Sequence, residues 1–432
     1  MERTLLVKLE QWKNKKKRKP LIIQGARQVG KTWIMKEFGA RYFKNTIYIN
    51  FDNNEIMKQV FEMDFDVTRI ISAIKIEYGK SFAAEETLII FDEIQEAPKA
   101  LAALKYFNEN APEYAIIAAG SLLGVALHQG TSFPVGKVDF MHLYPLTFYE
   151  FLCALGEEPL AQLLLSNDYK MMNSFSTKYI DLLKKYYYIG GMPEVIQTYI
   201  DTDDLYEVRE IQKNLLKYYE EDFSKHAPKE VIPRIMMVWN SIPSQLAKEN
   251  RKFIYGSMRE GARAKDFEMA IQWLEDAGLI IRSYRITKPD IPLIAYMEMN
   301  SFKMFTLDVG LLAAKANISA KVLLDGCKIF EEFKGALTEQ FVAEQLKASD
   351  RELYYYSTEN SSGEIDFIIQ QEMYCIPIEV KAEENLRARS LRAFCEKYNP
   401  EIAIRSSMSN YREQDWMVNV PLYVLDKYLD KV

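Results

Sequence analysis

The chain has 432 residues, 48% hydrophobic and 27% charged, with a net charge of −6. This is the composition of a globular protein with room for several domains, and the charge argues against general coating of nucleic acid while leaving room for a local basic patch. Three histidines (His128, His142, His226) and four scattered cysteines (Cys153, Cys327, Cys375, Cys395) without metal-ligand spacing argue against zinc or a serine–histidine triad. The thiols read as reduced, which points to the cytoplasm. No apolar run approaches the roughly 20 residues that span a bilayer, and residues 1–20 lack a signal-peptide core, so no membrane partner is expected.

Residues 1–12 read as a short amphipathic helix, with Leu5, Leu6, Leu9 and Trp12 at helical spacing. The basic run Lys15-Lys16-Lys17-Arg18-Lys19 reads best as a solvated helix end, with a nucleic-acid or partner contact as the alternative. The apolar run Leu21-Ile22-Ile23 then leads into Gly25-Ala26-Arg27-Gln28-Val29-Gly30-Lys31-Thr32, which fits G-x-x-x-x-G-K-[ST] at every fixed position. The two glycines allow a tight turn whose N–H groups face phosphate oxygens. Lys31 can reach the β- and γ-phosphates, and the Thr32 hydroxyl can hold Mg²⁺. The helix expected from Trp33 onward would add its dipole to this anion site.

A second strand is expected over 45–51, helices to about residue 78, and a buried parallel strand at Leu88-Ile89-Ile90-Phe91 that delivers Asp92 and Glu93 at its carboxyl end. Asp92 can support the metal, and Glu93 can orient or deprotonate the attacking water. A further strand over 114–119 ends at Gly120-Ser121, where Ser121 is either a sensor of the γ-phosphate or a helix N-cap. No Asn-Lys-x-Asp guanine motif occurs, so ATP is the expected nucleotide.

In this order, GARQVGKT, IYINFD, LIIFDEIQ, AAGSLLG and LYPLTFYEFL resemble the AAA-type ATPases of the prokaryotic "ATP-binding protein" group, often placed near the STAND-like ATPases. The resemblance implies ATP binding and hydrolysis by residues 25–33, including Trp33, with Mg²⁺ at Thr32 and Asp92. Gly136-Lys137 stands where relatives usually carry Gly-Arg, and no arginine finger can be named.

Gly190-Gly191-Met192-Pro193 punctuates the helical middle region. In the resembled group this signature lies at the junction with the C-terminal part. Helices over 231–247 and 264–277, a stop at Gly278 and a strand from Leu279 suggest a winged helix–turn–helix. Arg259, Arg263 and Lys265 could touch DNA phosphates there. The acidic Asp266, Glu268, Glu275 and Asp276 favour protein docking instead.

Further on, a helix over 330–348 carries Glu339, a strand over 362–369 carries Asp366, and a strand over 376–381 carries Glu379 and Lys381. Two carboxylates on neighbouring strands can form a hard-oxygen site for Mg²⁺, with Lys381 placed to activate water or stabilise phosphate charge. Asp-x(12)-Glu-x-Lys resembles the PD-(D/E)xK nuclease superfamily, in which Glu339 would be the upstream acid. A plain salt-bridged strand pair is the alternative, and such a domain can also persist for binding alone. The expected fold is α/β: a P-loop NTPase with a parallel sheet over 1–155, a helical linker over 156–229, a winged helix over 230–299 and a PD-(D/E)xK-like α/β domain over 300–432. The expected activity is an ATPase switch acting on that last domain. An ATP-regulated DNA nuclease and a non-cleaving DNA- or protein-binding module are the alternatives, and self-assembly stays open.

Overall fold

The computed structural model describes residues 1–79, 81–120, 124, 134–248, 251–325, 331–358, 363–382 and 388–432. Ser121, the expected sensor, lies outside the described residues. The chain divides into two compact units: residues 2–144 with 276–278, and residue 1 with 145–275 and 279–432.

The first unit holds five strands, β1 (Leu21–Gln24), β2 (Asn45–Asn50), β3 (Thr87–Asp92), β4 (Ala115–Ala119) and β5 (Asp139–His142), all parallel in the order β2-β3-β4-β1-β5. β3 and β4 are buried at every position, the burial expected of parallel strands covered on both faces. β5 has no counterpart in the sequence reading. Its four residues alternate between half-buried and exposed at the edge of the sheet, too short a pattern to register. Among the described residues the unit also holds the helices α1 (Leu5–Lys13), α2 (Lys31–Tyr42), α3 (Glu55–Met63), α4 (Val67–Glu77) and α5 (Pro98–Asn110). Phe51, Phe61 and Phe91 meet with ring centroids 5.5–5.6 Å apart, and Phe107 joins Phe91 at 6.2 Å. Each such ring contributes about 1.5–3 kcal/mol by leaving water. This aromatic core fixes β2 against β3 and so fixes where β3 ends.

The basic run follows α1 and turns back on its own unit. Lys15 pairs with Asp139 at 3.2 Å, and Arg18 donates to the carbonyls of Lys13 and Glu113. Lys16 and Lys17 stand in solvent. These contacts suit the helix-end reading.

The second unit pairs a helical half with a mixed sheet. Its strands are β6 (Ile280–Ile286), β7 (Met297–Thr306), β8 (Tyr354–Ser357), β9 (Glu364–Gln371), β10 (Tyr374–Val380), β11 (Ile404–Ser407), β12 (Arg412–Glu413) and β13 (Val418–Pro421), in the order β12-β13-β11-β10-β9-β8-β6-β7. The hairpin β6–β7 follows the helix Ala264–Asp276, as the winged-helix expectation required. However, β6 also pairs in parallel with β8, so the hairpin is part of the eight-stranded sheet and not a separate wing. Arg259, Arg263 and Lys265 are exposed.

The Gly-Gly-Met-Pro signature is a crossing point of backbones. Asp308, fully buried, accepts the Gly191 N–H at 2.5 Å and caps the helix Val309–Lys315 through Leu311 N–H at 2.8 Å. A Cβ at Gly310 would sit 2.4 Å from the Ile189 carbonyl oxygen, and one at Gly191 would sit 2.2 Å from that of Leu146. Only glycines let these segments approach so closely. Among the described residues no helix is long and apolar enough to cross a membrane.

Candidate nucleotide site and the carboxylate cluster

The loop between β1 and α2 has the conformation its glycines permit. Gly25 lies at φ +148° and Gly30 at +96°, with Gln28 also left-handed at +64°. A Cβ at Gly25 would come within 2.2 Å of the Leu143 carbonyl oxygen. Sequence reasoning missed one support of this loop: Arg3, buried, donates to the Val29 carbonyl at 3.1 Å and to the Tyr144 carbonyl at 2.5 Å. It lies 26 residues upstream of Val29, and nothing local in the sequence links the two.

Lys31 opens α2 and is buried, with its ammonium held by the carbonyls of Gly25 (2.8 Å) and Ala26 (2.7 Å). Burial lowers it to about 8. Glu93 and Asp92 oppose that shift, and Arg27 adds to it. A buried cation hydrogen-bonded to neutral carbonyls is poised for an anion, and a phosphate would supply one.

Thr32 and Asp92 are brought together as expected: Thr32 Oγ1 donates to Asp92 Oδ2 at 2.6 Å. Asp92 ends β3, beside Asn50 at the end of β2. Tyr48 Oη donates to the same Asp92 oxygen at 2.8 Å, a contact the sequence reading did not foresee. Burial, reinforced by the Asp92 carboxylate, pushes the Tyr48 phenol up, so it stays a donor. Lys36 Nζ lies 3.7 Å from the Tyr48 ring centroid. Alternation along β2 gave the one available signal, since Tyr48 is half-buried between buried Ile47 and Ile49.

Glu93 follows in a left-handed conformation (φ +49°), its N–H donating to Asp92 Oδ1 at 3.1 Å. Gln95 Nε2 donates to Glu93 Oε2 at 2.6 Å. Strain at a non-glycine residue directly after the acidic strand end is a common mark of a functional position. The glycine cradle, the buried ammonium and the Thr32–Asp92 pair suit a nucleoside triphosphate with its divalent ion. Trp33 is 40% exposed, at the mouth of the helix.

The second set of expected residues shares the sheet of the second unit. Asp366 on β9 and Glu379 on β10 lie on adjacent antiparallel strands, with Val380 N–H donating to Asp366 Oδ2 at 2.7 Å. Lys381, one residue past β10, pairs with Glu379 at 2.8 Å. Burial pushes Glu379 up, and Lys381 opposes that.

Glu339, expected as the upstream metal ligand, already has two cations. Arg251 Nη1 donates to one carboxylate oxygen, and Lys303 Nζ lies 3.3 Å from the other. Lys303, on β7, has no exposed surface and also meets Glu364 at 2.5 Å and Asp366 at 3.7 Å. Among the described residues, no three histidines, cysteines, aspartates or glutamates are grouped so as to hold a metal ion. Glu339 lies in an ion-pair network with lysine and arginine, and Asp366 and Glu379 stand on adjacent strands. The sequence did carry a signal for Lys303. It is a lone charge inside Phe302-Lys303-Met304-Phe305, all four of which are buried.

Residues 17–152 match a family model described as an AAA domain. Residues 180–322 and 334–425 match models described only as domains of unknown function, DUF8612 and DUF4143. No curated protein matches the chain. Among solved structures, the Walker-type ATPase PABY2304 of Pyrococcus abyssi is 15% identical, covering 72% of this chain and 94% of its own, with a TM-score of 0.45. Cdc6p from Pyrobaculum aerophilum is 12% identical over 71% of this chain and 88% of its own, with a TM-score of 0.24. Scores this low do not establish a shared overall architecture. The family match and the phosphate-loop geometry agree on the same stretch, and residues 17–152 form a P-loop ATPase domain of the AAA kind.

Proposed function

We propose that the chain binds and hydrolyses ATP and uses the bound state as a switch for the second unit. The observation that carries the reading is the joined set of a Gly25–Gly30 cradle, a buried Lys31 ammonium and the Thr32–Asp92 hydrogen bond. Lys31 would leave the Gly25 and Ala26 carbonyls for the β- and γ-phosphates, with the loop N–H groups around them. Thr32 and Asp92 would hold Mg²⁺, which when bound neutralises phosphate charge in the transition state. Glu93 would orient the attacking water and accept its proton. Ser121 would report the γ-phosphate.

The test separates binding from turnover. Lys31→Ala should lose ATP binding, read by fluorescent-nucleotide titration. Glu93→Gln should keep binding and lose turnover by about 10²–10⁴-fold, the usual contribution of a positioned base. Equal turnover in wild type and Glu93→Gln would remove Glu93 from the reaction. Undiminished ATP binding by Lys31→Ala would remove the phosphate-loop reading itself.

The responding part is proposed to be residues 156–432, with the helical segment as lever, the 230–299 segment as a docking element for protein or DNA, and the C-terminal domain as effector. The adjacency of Asp366, Glu379 and Lys381 supports a nuclease-like ancestry for that domain. Metal binding by that domain is a separate question.

A further inference from the structure

We propose that Lys303 is a built-in cation that closes the carboxylate cluster of the C-terminal domain to a divalent ion, so that this domain does not cleave phosphodiesters by a metal-dependent route. No residue of the nucleotide site takes part in this closure.

Lys303 lies on β7, which pairs only with β6 among the named strands. Its Nζ reaches three acids from two other elements: Glu339 on the helix Glu331–Ala348 at 3.3 Å, and Glu364 and Asp366 on β9 at 2.5 and 3.7 Å. The side chain has 0% exposure, so water does not share this charge. Hard divalent ions bind where several carboxylate oxygens converge without a competing cation. Here the point of convergence is an ammonium group. Arg251 takes the second oxygen of Glu339, and Val380 N–H takes the second oxygen of Asp366.

The remaining acid, Glu379, gives one oxygen to Lys381 and keeps Oε2 buried. That oxygen is the strongest feature in favour of an ion. An ion there would need Asp366 as its second carboxylate, and Asp366 Oδ1 faces Lys303. A doubly charged cation would then share one buried carboxylate with a buried ammonium, and like charges in a low-dielectric interior repel strongly.

The arrangement is held in place from behind. Gln340, the residue after Glu339, accepts Thr306 N–H at 2.9 Å and donates to the Thr306 carbonyl at 2.7 Å. This two-way bond locks the helix Glu331–Ala348 to the end of β7 and fixes Lys303 beside Glu339. With its side chain fully buried, Lys303 is held among these acids by the packing of the helix against the strand.

The experiment uses the full chain without nucleotide and reads free Mn²⁺ by electron paramagnetic resonance. Wild type and Asp366→Asn should bind Mn²⁺ equally, because no ion depends on Asp366. Lys303→Met should gain a Mn²⁺ equivalent that is lost again in Lys303→Met/Asp366→Asn, and Mn²⁺ should raise the melting temperature of Lys303→Met alone. Wild-type binding that disappears in Asp366→Asn overturns the proposal. A folded Lys303→Met that gains no Mn²⁺ also overturns it, since the lysine is then not what excludes the ion. Should Lys303→Met fail to fold, the wild-type and Asp366→Asn pair still decides. Plasmid incubated with wild type and Mn²⁺ should stay intact, and cleavage abolished by Asp366→Asn would overturn the proposal by a second route.

Discussion

A single side chain sets the pH response of the nucleotide site. Lys31 is lowered to about 8 by burial in the nucleotide-free protein, against an ordinary 10.5. Between those values the unfolded chain holds a proton that the folded chain does not, so stability rises with pH through that window. Below about pH 8 the full cost of burying the charge is present. Phosphate binding reverses the preference by giving the ammonium a partner. ATP affinity should therefore be flat below about pH 8 and fall by up to tenfold per pH unit above it, with proton uptake on binding. Calorimetric titration at pH 9 in two buffers of different ionisation enthalpy measures that uptake directly, and equal apparent enthalpies would refute it. Tyr48 acts on the same chemistry through Asp92. Were Thr32 to turn from Asp92 to hold a metal ion, Tyr48 would be the side-chain donor left on Asp92 Oδ2. Tyr48→Phe removes a hydrogen bond to a charged group, a loss of about 1.5–3 kcal/mol. The expected outcome is a higher Mg²⁺ concentration for half-maximal turnover, with metal-free ATP binding unchanged. An unchanged Mg²⁺ titration would make Tyr48 a packing residue only.

Elements show why some of this was legible in the sequence and some was not. The β1–loop–α2 unit could be read because its chemistry is local: two glycines, a lysine and a threonine at fixed spacing dictate a cradle wherever they follow a strand. β3 was legible because a parallel strand buried on both faces is apolar without interruption. The contacts of Arg3, Tyr48, Lys303 and Asp308 were not, because their partners lie 26 to 141 residues away, and no periodicity encodes a partner. Glu339 was singled out through the nuclease resemblance, and its pairing with Arg251 and Lys303 was not legible for the same reason. Asp308 and the helix it caps explain the Gly-Gly-Met-Pro signature, and they carry their own tests. Gly310→Ala forces a methyl into the Ile189 carbonyl and should cost about 1–3 kcal/mol, read as a lower denaturation midpoint. Nearby, burial pushes the Glu344 carboxyl well up, with Asp308 adding to it, and Asp308 itself is raised to about 6. Native Glu344 keeps a proton that the unfolded chain loses above its ordinary 4.5, so wild-type stability falls as pH rises through that window. Glu344→Gln has no proton to lose. Its denaturation midpoint should match wild type near pH 5 and exceed it at pH 9, and parallel pH profiles for the two proteins would show that Glu344 is ionised in the fold.

For the whole molecule, the question is whether the state of the phosphate loop is felt in the second unit. A switch requires that ATP bind two arrangements of the chain with different affinity, since a ligand of equal affinity shifts nothing. The second unit has an element suited to respond: the Gly190–Gly191 crossing, where helix ends meet without side chains between them and are tied by one buried carboxylate. Such a junction has few ways to rearrange gradually, because a shift of Gly191 breaks its bond to Asp308 and uncaps the helix Val309–Lys315 together. Hydrogen exchange of the full chain, with ADP and with a non-hydrolysable ATP analogue, should show nucleotide-dependent protection in residues 186–196 and 306–316 as well as in the phosphate loop. Lys31→Ala should abolish both. Protection changes confined to residues 17–152 would leave the ATPase intact and sink the switch, because the coupling that defines a switch would then end at the domain that binds the nucleotide.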